Sequence, residues 1–439
     1  MKRTITSSLS KWQHKEDRKP LIFLGARQVG KTYILTSFGR ECFPQAHYLN
    51  FEKSPELAKI FDKDLDPQRI LGEISFTLNQ QVDVGRDLVI FDEIGYAPKA
   101  LTSLKYFAEE LPALHLAAAG SLLGLQLGAA SFPVGKVEYL RLHPMSFEEF
   151  LLALDDNRSW DFLQGLDRSQ PLPEVIHQHL WEEFKKYLVV GGLPEVVKTF
   201  AQLRGNLFLA MEEVRKKQED LVNTYLADVA KHAGKTNSMH IERVLKSIPV
   251  LLASRQDGQA AKYKFKDIIP GAKRYSQLAG PIDWLVTAGL TDKIPIVEKI
   301  HLPLLTQVKE SIFKLYLLDT GLLGALSNLA PKTILDYDYG TYKGFMAENA
   351  VLQELRAAGA SHLYSWHEGT AELEFILEKG GLAHPVEVKS GGVTRSQSLS
   401  VYHRKYQPPL RTILSARNLH PDPVGRLHRY PLYLAGKIV

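Results

Sequence analysis

A chain of 439 residues that is 45% hydrophobic and 23% charged has the make-up of a globular protein of roughly three domains at about 150 residues each. Its single cysteine, Cys42, excludes an intramolecular disulfide and a cysteine-cluster metal site, which fits a reducing cytoplasm. No apolar run reaches roughly 18 residues, which excludes a membrane-spanning helix, and a net charge of +5 permits nucleic-acid binding without demanding it.

Residues 1–19 are polar and basic, lack the apolar core of a secretory signal, and read as a helix or arm leading into the first strand. Leu21-Ile22-Phe23-Leu24 then reads as a short buried strand. It breaks at Gly25, and Gly30-Lys31-Thr32 opens a helix that continues through Tyr33, Ile34 and Leu35. The stretch Gly25, Ala26, Arg27, Gln28, Val29, Gly30, Lys31, Thr32 fits the phosphate-cradling spacing G-x-x-x-x-G-K-[S/T]. Glycines let the backbone bend until several N–H groups face one point. That point lies at a helix N-terminus, where the dipole favours anions. Lys31 is placed to reach the β- and γ-phosphates and the Thr32 hydroxyl to hold Mg²⁺, with Tyr33 closing the cofactor-binding stretch. The plain alternative is a glycine-rich strand–helix turn; the strand before and the helix after favour the phosphate loop.

His47–Phe51 is a plausible second strand, Glu52–Asp66 a charged loop with short helices, and Ile70–Gln80 a helix. Asp87–Ile94 (DLVIFDEI) is an apolar strand ending in two carboxylates. In that pattern Asp92 orients Mg²⁺ and Glu93 polarises the attacking water, at the strand end where open α/β sheets hold ligands. Alone, the pair reads equally as surface acids. Leu114–Ala119 is a third strand that delivers Gly120-Ser121 to the same edge. Strands alternating with helices predict a mostly parallel sheet covered on both faces.

GARQVGKT and LVIFDEI, together with VEYLRLHPMSFEEFL (Val137–Leu151), YLVVGGLPEVV (Tyr187–Val197) and FKLYLLDTGLLGAL (Phe313–Leu326), resemble a prokaryotic family of AAA-type P-loop ATPases with a C-terminal domain of unknown function. The resemblance covers nearly the whole chain. It implies ATP as the nucleotide, and Ser121 as a γ-phosphate or water contact, the alternative being a helix N-cap. It also implies a helical lid beside the nucleotide. Many AAA-type ATPases complete their sites with a neighbour's arginine, so a homo-oligomer is an open expectation. Where the family commonly has Gly-Arg, this chain has Gly135-Lys136. Lysine lacks arginine's planar fork, and Arg27 or Arg141 are the other candidates for an arginine finger.

Residues 146–235 read as the helical lid, with a capping box from Ser146 to Glu149 and a long charged helix from Met211 to Leu226 whose Arg215, Lys216 and Lys217 form a solvated face. Residues 236–328 read as a winged helix-turn-helix. Ile241–Ile248 marks one helix and Tyr275–Leu285 another, while Leu290–Ile296 and Ile312–Leu318 form the wing. Lys262, Lys264, Lys266, Lys273 and Arg274 suit DNA phosphates; packing against the ATPase is the alternative. In residues 329–439, Glu348 on a helix, Glu374 on a strand, and Glu387 and Lys389 on one face of the next resemble the restriction-endonuclease-like PD-(D/E)xK arrangement. There Glu374 and Glu387 would share Mg²⁺ beside Lys389. The family pattern has Asp where this chain has Glu374, which shifts the carboxylate, and Mg²⁺ tolerates little misplacement. The expected architecture is α/β: residues 1–145 a P-loop core with a parallel sheet, 146–235 a lid, 236–328 a winged helix and 329–439 a nuclease-like α/β domain. Three functions follow: a cytoplasmic ATPase coupling turnover to conformational change, an ATP-gated Mg²⁺-dependent DNA nuclease, or a non-hydrolysing switch that binds a partner through the winged helix.

Overall fold

The computed structural model describes residues 1–120, 135–253, 263, 265, 268–272, 274–392, 396–422 and 426–439. Ser121 and the cations Lys262, Lys264, Lys266 and Lys273 lie outside the described residues. The chain divides into two compact units, one of residues 1–143 with 287–289, the other of 144–286 with 290–439. No described helix is long and apolar enough to cross a membrane.

In the first unit, β1 (Leu21–Leu24), β2 (Ala46–Asn50), β3 (Leu88–Asp92), β4 (His115–Ala119) and β5 (Glu138–Arg141) pair in the order β2-β3-β4-β1-β5, every pair parallel. Parallel neighbours need crossovers, which the helices Lys31–Cys42, Pro67–Thr77 and Pro98–Glu110 supply. All five residues of β3 and of β4 are buried, as in a sheet covered on both faces. Phe51, Phe61, Phe91 and Phe107 pack edge to face on one side. The chain leaves β1 toward β4, β3 and β2 and returns on its other side as β5. That reversal is where such sheets open a crevice at their carboxyl ends. The helix expected over Ile70–Gln80 starts earlier, at Pro67, because the Asp66 side chain accepts the Gln68 N–H and caps it.

The second unit opens with the helices Phe147–Ala153, Asn157–Gln164, Glu174–Val190, Pro194–Leu203, Leu207–Ala233 and Lys235–Ala253. The capping box between Ser146 and Glu149 is present. Lys216 and Lys217 pair with Glu213 and Glu195 at the surface. Arg215 departs from that face: its Nη2 donates to Leu329 O at 2.8 Å, and burial lowers its pKa to about 10.

The seven-stranded sheet that follows joins β6 (Thr291–Val297), β7 (Phe313–Leu317), β8 (Leu363–Glu368), β9 (Ala371–Lys379), β10 (Leu382–Val388), β11 (Arg411–Ser415) and β12 (Leu427–Pro431). Their order is β12-β11-β10-β9-β8-β6-β7. The ribbon expected as a wing exists as the antiparallel pair β6–β7. It does not stand free, because β6 continues in parallel onto β8 through Ile296↔Ser365 and Val297↔Trp366. The physical reason lies in burial: every residue of β7 is buried, whereas a free ribbon exposes one face. The boundary drawn at 328/329 therefore falls inside one sheet. The second helix of the expected motif is also shorter than Tyr275–Leu285 suggests, a 3₁₀ turn at Tyr275–Gln277 followed by a helix over Ala279–Thr287.

Three of the sequence blocks meet at one buried polar junction. The Asp319 carboxylate accepts the Gly192 N–H at 2.6 Å and the Leu322 N–H at 3.1 Å. Gln353 accepts the Thr320 N–H at 3.0 Å and donates to the Tyr187 hydroxyl at 2.8 Å. That hydroxyl lies 2.7 Å from Met145 O and 2.9 Å from Glu354 Oε1, which also accepts the Phe147 N–H at 2.8 Å. Nothing larger than hydrogen fits at Gly192, where a Cβ would stand 2.1 Å from Met145 O.

Candidate functional site

The loop after β1 is shaped by its backbone. Gln28 takes φ 66° and Gly30 φ 97°, so left-handed residues alternate with others and successive N–H groups turn inward, an anion-binding nest. Gly25 sits at φ 152°, and a Cβ there would lie 2.5 Å from Leu142 O. Ala26 and Val29 are buried beneath the loop, and Tyr33 is exposed on the first helical turn. Arg3, in the stretch read as an arm, is buried beneath it: its guanidinium donates to Val29 O at 3.1 Å and His143 O at 2.6 Å.

Lys31 is only 6% exposed. Its Nζ donates to the loop's own carbonyls, Gly25 O at 2.8 Å and Ala26 O at 2.7 Å. Burial lowers its pKa to about 8, against the pull of Glu93 and Asp92. The Thr32 hydroxyl donates to Asp92 Oδ2 at 2.8 Å, so the phosphate loop and the acid strand meet directly. Asp92 Oδ1 accepts the Glu93 N–H at 3.0 Å, and Glu93 itself takes the left-handed region at φ 48°.

Two further residues complete this corner. Tyr48 OH donates to the same Asp92 oxygen at 2.6 Å, and Asn50 Nδ2 donates to Tyr48 OH at 3.0 Å. Burial is the main cause that raises the Tyr48 pKa to about 12, and the Asp92 carboxylate adds to it. Neither residue was singled out from the sequence. The signal was there: Tyr48 and Asn50 stand two apart on one face of a strand, and Asn50 registers opposite Asp92. Of the expected arginine-finger positions, Arg141 closes β5 opposite Leu24 and is exposed, and Lys136 pairs with Glu109 at 3.0 Å. The donor set of Thr32 and Asp92, beside a buried ammonium and an inward-turned backbone, fits a triphosphate with its Mg²⁺.

Glu348, Glu374, Glu387 and Lys389 also come together, in the second unit. Glu374 Oε2 accepts the Val388 N–H at 2.9 Å, and Lys389 pairs with Glu387. Burial raises the Glu374 carboxyl well above its usual range, and the charges of Glu387 and Glu348 raise it further. Glu387 is also raised, by burial against the opposing pull of Lys389. Three residues not foreseen share the cluster: Lys314, Tyr316 and Glu372. Among the described residues, no group of three or more His, Cys, Asp or Glu is arranged to hold a metal ion.

A model described as an AAA domain matches residues 17–151, and two models described only as domains of unknown function match 181–333 and 343–433. No curated protein matches the chain. Among solved structures, a Walker-type ATPase of Pyrococcus abyssi is similar at 17% identity and TM-score 0.48, covering 73% of this chain and 95% of that one. Drosophila ORC bound to DNA is similar at 12% identity and TM-score 0.25, covering 69% and 88%. Protein VC1899 from Vibrio cholerae is similar at 10% identity and TM-score 0.18, covering 95% and 96%. The match over 17–151 coincides with the parallel sheet, the loop after β1 and the acid strand, and so residues 17–151 form an AAA-type P-loop domain, followed by two stretches that match only domains of unknown function.

Proposed function

We propose that this chain binds ATP with Mg²⁺ at the loop Gly25–Thr32, hydrolyses it, and couples that turnover to a change in conformation. The single observation that carries the reading is the 2.8 Å hydrogen bond from Thr32 to Asp92. It sets the metal-holding hydroxyl and the metal-orienting carboxylate of a phosphoryl-transfer site side by side. Lys31 leaves its loop carbonyls for the β- and γ-phosphates, and the inward N–H groups of Gln28 to Thr32 take the remaining charge. Thr32 and Asp92 would hold Mg²⁺, which would supply charge neutralisation at the phosphates. Glu93 polarises the water, and Tyr48 with Asn50 fixes the orientation of Asp92.

Calorimetry with a non-hydrolysable ATP analogue tests the binding. Wild type binds and Lys31→Ala does not; equal binding by both removes the proposal. Turnover is separated by Glu93→Gln, which keeps binding and loses hydrolysis. A slow rate that Glu93→Gln leaves unchanged points instead to a non-hydrolysing switch. DNA and a second copy of the chain are the partner classes that fit this reading. ATPase rates with and without DNA of different forms, and their dependence on protein concentration, decide between them.

A further inference from the structure

The carboxylate cluster of the second unit is built around a lysine to which the sequence assigned no role. Lys314 lies on β7, and its side chain is wholly buried. Its Nζ stands 2.5 Å from Glu372 Oε1 and 3.8 Å from Glu348 Oε2. Tyr316, two residues on and therefore on the same face of the strand, donates to Glu348 Oε2 at 2.7 Å. Glu374 accepts a backbone N–H from Val388 and Glu387 is paired by Lys389. Each of the four carboxylates thus already meets a cation or a donor.

A buried ammonium persists only where opposite charge compensates its lost hydration, and here two carboxylates do so. A catalytic Mg²⁺ needs near-octahedral oxygens at about 2.0–2.1 Å. Glu374 and the Glu387 Oε2 atom, which has no hydrogen-bond partner, supply too few oxygens; the rest would have to come from carboxylates that Lys314 and Lys389 already hold, with a double charge placed beside a desolvated ammonium. The residues present do not fit that ion. We infer that Lys314 is the resident cation of this cluster and stands in for the divalent metal, so that its ion pairs brace the helix Tyr342–Ala357 against β9 in place of a metal centre. A metal-dependent nuclease does not follow from the four acids, although they converge. The inference does not depend on the nucleotide site in the first unit.

The test counts Mn²⁺ bound to the full, nucleotide-free chain by electron paramagnetic resonance, in wild type and in Glu387→Gln. Equal counts are expected, and any ion held near Asp92 cancels between the two proteins. A Mn²⁺ present in wild type and lost in Glu387→Gln overturns the inference. A second arm measures Tm. Lys314→Met lowers it by about 10 °C, and adding Glu372→Gln recovers part of the loss, because it removes a carboxylate left uncompensated. Losses that simply add identify a packing role and overturn the brace. Should Lys314→Met fail to fold, the Mn²⁺ comparison decides alone.

Discussion

On the proposed function, the lowered pKa of Lys31 is expected to make nucleotide affinity depend on pH in a specific way. Burial brings the ammonium down to about 8 from an ordinary 10.5, so at pH 7 roughly nine-tenths of the free protein carries the charge and at pH 9 roughly one-tenth. A triphosphate engages the charged form, and proton uptake then accompanies binding above the folded pKa. The apparent Kd is expected to stay level below about pH 8 and to rise about tenfold per unit above it, a loss near 1.4 kcal/mol per unit. Calorimetry with a non-hydrolysable analogue and Mg²⁺ from pH 7.5 to 9.5 reads this directly. Lys31→Arg stays charged throughout and gives the level control, at weaker affinity. A level Kd in wild type, or an equal rise in Lys31→Arg, refutes the reasoning. The free protein offers an independent check. Between about 8 and 10.5 the unfolded chain binds the Lys31 proton and the folded one does not, so the stability of the first unit rises with pH across that window.

Tyr48→Phe removes a donor from Asp92 while leaving the ring, and kcat is expected to fall about tenfold with little change in nucleotide Kd; equal losses in both would assign Tyr48 a binding role instead. In the buried junction, burial raises Glu354 to about 8 and Asp319 to about 6. The folded state then holds protons the unfolded chain has released, and stability falls as pH rises, by up to about 1.4 kcal/mol per unit for each group. Glu354→Gln should remove about 1.4 kcal/mol per unit from the slope between pH 6 and 8 in urea denaturation of the full chain, leaving the share of Glu374 and Glu387, and an unaltered slope would place the titration elsewhere. Gly192→Ala drives a methyl against Met145 O, and the second unit is expected to lose its cooperative unfolding transition. A wild-type Tm would mean that the loop around Gly191-Gly192 shifts freely.

That Thr32 would meet Asp92 was legible because the parts of that corner are local. Gly25, Gly30, Lys31 and Thr32 sit in one short stretch whose chemistry fixes its spacing, and Asp92 and Glu93 end a strand whose apolar run is unmistakable. Tyr48 and Asn50 escaped because what makes them matter is the register of β2 against β3, a pairing between distant segments. The second unit failed to divide as expected for a related reason. Alternation at Leu290, Ile294 and Ile296 identifies a strand and its partner but says nothing of a third neighbour, and only β8 tells that the ribbon is the margin of a larger sheet. Lys314 was invisible for the same cause: a lysine in FKLYLL reads as an outward residue, until Glu348 and Glu372 from other segments close over it.

The continuity of β6 and β7 with β8 means that the stretch matched as a domain and the stretch that folds as a body are different things. A fragment cut at 343–433 would begin inside the helix Tyr342–Ala357, bare the flank of β8 to any passing strand, and strip Glu348 of both Tyr316 and Lys314. It would also discard Leu434 and Ala435, which are fully buried. Anyone dissecting this protein by its family borders should expect such a piece to aggregate, whereas a cut at the chain's own seam near residue 144 keeps the sheet whole.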